Sequence, residues 1–102
     1  MTTTRENPLL GRWESPEPGR PWLSFAGDDT VTGSDGCNDI QSTYMAVATG
    51  AIVEPFVSTL KACIGVDPWL RGMSTVALRG GRLVVCDAAG VKLGELQRAT
   101  FG

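Results

Sequence analysis

Short β-prone segments separated by turn-forming residues constrain the fold of this chain more than any other feature. Each segment is a few residues long, is rich in branched or aromatic side chains, and ends near glycine, proline, asparagine or aspartate. This pattern is typical of strands joined by tight connections. It predicts about seven strands in a mainly antiparallel domain that is curled or barrel-like. The segments are 9–13, 22–25, 30–34, 40–47, 51–54, 82–86 and 91–96.

One segment has helical rather than strand periodicity. Asp67 is a suitable N-cap, and Pro68 suits the first helical position because its missing N–H costs little there. Gly80 and Gly81 would end the helix. We therefore predict one helix and an α+β character. Its apolar stripe comprises Trp69, Leu70, Met73, Val76 and Ala77.

Composition excludes several classes of function. The 102 residues fit one domain, and a net charge of -2 gives no basic surface for a nucleic-acid backbone. The chain has no histidine, which removes Ser-His and Cys-His catalytic pairs and every imidazole metal site. No apolar run reaches the ~20 residues that cross a bilayer. We expect no catalytic residues, no metal, no cofactor, no nucleic-acid partner and no transmembrane segment.

A glycine-rich turn with a central cysteine is the most distinctive motif. It reads GSDGCN over residues 33–38 and joins two predicted strands. Gly36 allows a positive φ that a Cβ would oppose, and Asn38 is among the few other residues that tolerate one. The motif predicts a tight backbone turn rather than a phosphate loop, because a strand follows it and no lysine closes it.

Six motifs in order resemble the META domain family, also called HslJ-like, over about residues 9–96. Ser42 replaces the usual glycine of the family, and the expected helix lacks the glutamate often found near its start. The motifs are LGRW at 10–13, LSF at 23–25, VTGSDGCN at 31–38, STY at 42–44, TLKAC at 59–63 and the hairpin at 83–93.

The resemblance implies a small, partly open β-barrel with one helix packed across it, and no common catalytic activity. We assign the domain to 9–98, with a flexible N-terminal tail at 1–8 and a C-terminal tail at 99–102. The signature residues are expected to organise the fold. They are Trp13, Gly33, Gly36, Cys37, Asn38, Tyr44, Thr59 and Cys63.

Two of the three cysteines lie in motifs shared with the family. Cys37 and Cys63 could approach each other across the fold, and a disulfide would close a loop of about 26 residues, contributing roughly 3 kcal/mol. Because the N-terminus resembles no secretory signal, we favour two reduced, half-buried thiols. Redox catalysis is not expected, since no Cys-x-x-Cys or histidine lowers a thiol pKa. Cys86 is interpreted as a core residue.

Aspartates and aromatic residues have both a structural and a functional interpretation. Asp28, Asp29, Asp35 and Asp39 do not follow the spacing of an EF-hand, so we interpret them as turn residues. The aromatic side chains are expected mainly in the core, and the alternative is that some line a cavity in the sheet.

The sequence therefore predicts a non-catalytic binding or stress-associated module that acts through protein contacts. A homo-oligomer is compatible with this prediction. The alternative is a carrier for a small apolar ligand held inside the curled sheet. We expect a cytoplasmic protein, or an envelope or secreted one if an export segment precedes the domain.

Overall fold

Eight antiparallel strands close into a barrel in this computed structural model, which describes residues 7–56 and 63–99. Each strand pairs with the next along the chain, and the first pairs with the last. The prediction of a mainly antiparallel β domain is confirmed. The strands are β1 (Gly11–Glu14), β2 (Trp22–Phe25), β3 (Thr30–Ser34), β4 (Asp39–Val47), β5 (Gly50–Val53), β6 (Thr75–Arg79), β7 (Arg82–Cys86) and β8 (Lys92–Arg98).

The sheet is fully closed, so the expectation of a partly open barrel is wrong. Trp13 pairs with Arg98 and Glu14 with Gln97 across β1 and β8. Arg98 strengthens this seam because its guanidinium lies 4.2 Å from the Trp13 ring centroid and donates to two backbone carbonyls that precede β1. Closure pairs the backbone groups that an open sheet would leave along its edges.

The predicted helix between Asp67 and Gly80 is wrong. The chain forms one 3₁₀ turn, Trp69–Gly72, without a side-chain cap, and then extends into β6. β6 pairs with β5 and β7, so the sheet satisfies its backbone, and its β-branched residues favour that conformation. The helix-like apolar spacing arises because two separate elements lie in this segment. The 3₁₀ turn buries Leu70, and β6 buries Val76. The described residues contain no α-helix, and the 3₁₀ turn is too short to cross a membrane.

Side chains from every strand fill the barrel. The rings of Phe25 and Tyr44 pack edge to face, with their centroids 4.9 Å apart. The interpretation of the aromatic residues as core is confirmed for these two and for Trp13. The buried apolar residues are Leu9, Trp13, Leu23, Phe25, Val31, Ile40, Tyr44, Ala51, Val53, Leu70, Met73, Val76, Leu83, Val85 and Leu96.

Candidate functional site

The glycine-cysteine-asparagine turn is held by its own side chains. Asp35 Oδ1 accepts hydrogen bonds from the backbone N–H groups of Cys37 (2.9 Å) and Asn38 (2.6 Å). Ser34 Oγ accepts from the N–H of Gly36 at 3.0 Å. Asp35 and Asn38 are completely buried. Asp35 therefore fixes the turn, a larger role than its interpretation as one of several turn aspartates.

Gly36 is required by both its backbone angle and its surroundings. Its φ is 100°, as predicted, and a Cβ there would lie 2.9 Å from Val66 Cγ1. Gly19 approaches the same backbone so closely that a Cβ on it would lie 2.9 Å from Gly36 Cα. Gly33 lies in β3, where a Cβ would lie 2.1 Å from the carbonyl oxygen of Trp22. The turn is thus a packed junction between three stretches of backbone.

A disulfide joins Cys37 in this turn to Cys63, with 5.9 Å between their Cα atoms. The structure thus contains the bonded pair and not the reduced pair that we favoured. Cys86 is the free cysteine and is half-buried. It lies outside the core cluster, so its interpretation as a core residue is wrong. Thr59 lies outside the described residues.

Tyr44 ties the barrel to the segment that precedes β1. Its hydroxyl donates to the carbonyl of Ala26 and accepts from Asn7 Nδ2, both at 2.8 Å. Burial raises the pKa of Tyr44 above 10.0, and the carboxylates of Asp29 and Asp28 add to the shift while the Asn7 hydrogen bond opposes it. Tyr44 therefore acts as a neutral, doubly hydrogen-bonded core residue.

Among the described residues, the turn aspartates act locally rather than as a metal centre. Asp28 Oδ1 accepts from the backbone N–H and the hydroxyl of Thr30, and these bonds lower the pKa of the Asp28 carboxyl. The interpretation of Asp28 and Asp35 as turn residues is confirmed. No group of three potential ligands converges in the described part of the chain. The signature residues thus hold backbone together, and a functional surface has to be sought elsewhere on the barrel.

An apolar surface lies on the outside of the β4–β5 hairpin. Met45, Val47 and Ile52 are 58%, 49% and 42% exposed. Met45 and Ile52 are directly opposite each other in the register, and the same row continues through Thr75 on β6 and Cys86 on β7. Three large apolar side chains thus lie together on the solvent side of the sheet.

A second row lies two residues further along the strands. It begins at Val47 and continues through Gly50, Ala77 and Val84. Neighbouring strands are about 4.8 Å apart and alternate residues about 6.8 Å apart, so the two rows extend over roughly 14 by 7 Å between Cα positions. We call this surface the apolar outer face. It comprises Met45, Val47, Ile52, Thr75, Ala77, Val84 and Cys86.

Charged side chains lie at both ends of the apolar outer face. Arg79 and Arg82 lie at one end, in the β6–β7 hairpin, and Glu54 follows β5 at the other. Arg82 is paired with Glu95 at 3.2 Å, and Lys92 contacts the same carboxylate. The hydrogen bond from Lys92, followed by that from Arg82, lowers the pKa of Glu95. Arg79 and Glu54 form no ion pair with another described residue.

An open groove of about 370 Å³ adjoins the end of this face at which Glu54 lies. Its walls combine apolar and charged side chains, with Phe56 and Met73 beside Glu54 and Arg71. Within the described part of the chain, the groove is lined by Ile52, Val53, Glu54, Pro55, Phe56, Arg71, Gly72, Met73, Ser74 and Ala88.

The apolar outer face was missed by the sequence reasoning, although the sequence contains a signal for it. In β4 the inward positions are Ile40 and Tyr44, which places Met45 and Val47 in the opposite, solvent-facing phase. Large apolar residues in the solvent phase of a strand are the signal that this reasoning left unused.

Comparison with known proteins identifies the family. A model of the META domain matches residues 9–100, nearly the whole chain. Neither curated proteins nor solved structures gave a significant match. The closed β-barrel, with its disulfide-linked turn, is thus the structure of a chain that belongs to the META domain family, also called HslJ-like.

Proposed function

We propose that this META domain is a non-catalytic protein-interaction module that binds its partner through the apolar outer face. The observation that carries the proposal is the contiguous exposure of Met45, Val47 and Ile52. Single exposed apolar side chains are ordinary on soluble proteins, whereas contiguous patches mark interaction sites.

The size of the face indicates a reversible contact. Fully burying an aliphatic side chain contributes about 1.5–3 kcal/mol, and these three side chains are only about half exposed. Covering them therefore contributes roughly 3 kcal/mol, which is less than the usual cost of association. Polar contacts at the rim must supply the remainder, so we expect a modest affinity.

A non-catalytic role is supported by the chemistry of the chain. It has no histidine, and the signature turn uses Ser34 and Asp35 to hold its own backbone. The sulfur atoms of Cys37 and Cys63 are bonded to each other and cannot act as thiolates. A stress-associated role rests on the family resemblance alone.

The disulfide supports a location in an oxidising compartment. Disulfides persist in the periplasm and outside the cell and are rare where thiol reductants act. We therefore propose that the domain works in the cell envelope or after secretion, the alternative to the cytoplasmic location that we favoured from the sequence.

A carrier for a small molecule is the second candidate, and the groove is the observation that favours it. Its volume of about 370 Å³ falls within the range of ligand pockets, roughly 300–1,000 Å³. Core side chains occupy the barrel interior, so a ligand would bind at this end of the barrel. Because Glu54 and Arg71 accompany Phe56, such a ligand would be amphiphilic. A small molecule retained in native mass spectrometry, and lost in Phe56→Ala, would favour this candidate.

Site-specific photo-cross-linking in the native host tests the interaction module. A benzophenone amino acid is placed at Met45 or, as the matched control, at Thr32, an exposed strand position in β3 outside the face. We expect a discrete protein adduct from position 45 and none from position 32, and purified protein with Ile52→Lys should compete less well than the parent protein. Equal labelling from both positions, or no adduct from either, would overturn the proposal.

A further inference from the structure

We propose that the partner of the apolar outer face is an extended peptide segment, which anchors one apolar side chain in the groove beside Ile52. The inference rests on the proposed function and names the kind of partner for the same surface. It is carried by the continuity between the face and the groove, because Ile52 belongs to both.

The curvature of the barrel limits what can cover the apolar outer face. The strands β4 to β7 lie side by side in a closed barrel, so their outer surface is convex. A folded partner with a flat surface would contact such a face along a narrow line, far short of the ~800 Å² that each partner buries in a standard interface. An extended segment follows the curvature instead, because each of its residues adjusts its own backbone angles.

The groove supplies the concave surface that the face lacks. Its lining includes the buried side chains of Val53 and Met73 and the half-buried ring of Phe56. An apolar side chain that enters the groove is therefore shielded from water on several sides, as the anchor residues of protein interfaces are. Ile52 lies directly opposite Met45, so a segment that leaves the groove over Ile52 reaches the face at once.

The charged groups of the groove suit the amide groups of a peptide. Glu54 and Arg71 both line it, and neither forms an ion pair with a described residue. The Glu54 carboxylate can accept from a peptide N–H, and the Arg71 guanidinium can donate to a peptide carbonyl. Because the two charges are opposite, the groove favours neither a free anion nor a free cation. A peptide offers a donor and an acceptor in every residue and meets both requirements.

The dimensions fit a segment of about six residues. Val47 and Met45 are alternate residues of β4, about 6.8 Å apart, and Met45 and Ile52 lie on neighbouring strands, about 4.8 Å apart. Six residues of extended chain span roughly 20 Å, which covers this path and leaves two or three residues for the groove. Ordering a flexible segment costs part of the binding energy, so we expect a dissociation constant on the order of 100 μM.

Cross-link mapping in the native host tests this inference on the whole, disulfide-intact chain. A benzophenone amino acid is placed at Met45 on the face or at Ala88, an exposed residue that lines the groove. Both positions should give the same protein adduct. Mass spectrometry should place the two cross-links within about ten residues of each other in the partner, since ten extended residues already span ~33 Å. Cross-links to distant parts of the partner sequence would overturn the inference.

The mapped stretch, made as a synthetic peptide, gives an independent measurement by calorimetry. Phe56→Ala and Arg71→Ala in the groove, and Ile52→Lys on the face, should each weaken binding at least about fivefold. Alanine at the largest apolar residue of the peptide should cause a similar loss, and this loss should not add to that of Phe56→Ala. Leu10→Ala is the matched control, because Leu10 is exposed and precedes β1, away from the face. It should leave binding unchanged.

The outcomes separate this inference from the proposed function. If position 45 gives a specific adduct while position 88 gives none, or the mapped peptide does not bind, the interaction module stands and the peptide anchor is overturned. If position 45 gives no specific adduct, the interaction module is overturned as well. A small molecule released by Phe56→Ala, with no protein adduct at position 88, would favour the carrier instead. Arg71 is exposed, so Arg71→Ala should keep the urea midpoint of the parent protein, and its weaker binding then has no origin in folding.

Discussion

Removing the disulfide between Cys37 and Cys63 should destabilise the domain by a calculable amount. The bond closes a loop with a sequence separation of 26. In the chain-entropy model a loop of this size contributes about 3.5 kcal/mol at 25 °C by restricting the unfolded chain. Because small domains have only about 5–15 kcal/mol of stability in total, the double variant Cys37→Ala/Cys63→Ala should lose a large fraction of it.

The assay is equilibrium unfolding in urea and by heat, followed by circular dichroism without reductant. For a domain of this size each kcal/mol shifts Tm by about 4–8 °C, so we expect a decrease of roughly 14–28 °C. Cys86→Ala is the matched control, since its thiol is free, and it should stay close to the parent protein. Reductant should lower the stability of the parent and the control but leave the double variant unchanged.

Two results would refute the reasoning about the disulfide. A double variant within about 1 kcal/mol of the oxidised parent would show that the loop contributes little, contrary to the entropy relation. Alkylation of all three cysteines in denatured, unreduced protein would show that the bond does not form at all.

Two further predictions concern the turn and the buried tyrosine. Gly36→Val should lower the free energy of unfolding in urea by about 2–4 kcal/mol, because φ is 100° and a Cβ would lie 2.9 Å from Val66 Cγ1. The control is Gly27→Val, since a Cβ at Gly27 meets open space. Equal urea midpoints for the two variants would contradict this reasoning. Tyr44 is the only tyrosine, so tyrosinate absorbance should report a pKa above 10.0, and a value at or below 10.0 would contradict its burial. The pKa of Tyr44 is higher in the folded than in the unfolded chain, so the neutral hydroxyl stabilises the fold fully below the unfolded pKa. This stabilisation is lost as pH rises through the folded pKa, and the Tyr44→Phe variant should not show that loss.

Elements that depend on local chemistry could be predicted from the sequence. The segments at 22–25, 30–34 and 82–86 coincide with β2, β3 and β7, because their side chains alternate and turn residues bound them. The positive φ of Gly36 was also predictable from the local sequence, since a tight turn between two strands favours glycine.

Elements that depend on distant partners could not be predicted in this way. The segment that forms β6 has an apolar spacing compatible with a helix, and only its pairing with β5 and β7 decides its conformation. Closure of the barrel pairs β1 with β8, and the side chain of Arg98 supports it by reaching the Trp13 ring and a backbone carbonyl 88 residues away in the chain. No pattern within a short window contains either interaction.

The residues that identify the family and the residues proposed to bind a partner are different sets, for a physical reason. Gly36, Cys37 and Asn38 occupy positions where backbone angle, disulfide geometry and complete burial admit few alternatives, so they form a recognisable motif. The outward positions of Met45 and Ile52 accept many side chains without loss of the barrel, because strand pairing uses the backbone and the core uses the inward phase. Partner choice can therefore vary while the fold is retained. The apolar side chains in the solvent phase of β4 and β5 form a contiguous surface that folding does not explain, and that is the reason to look for function there.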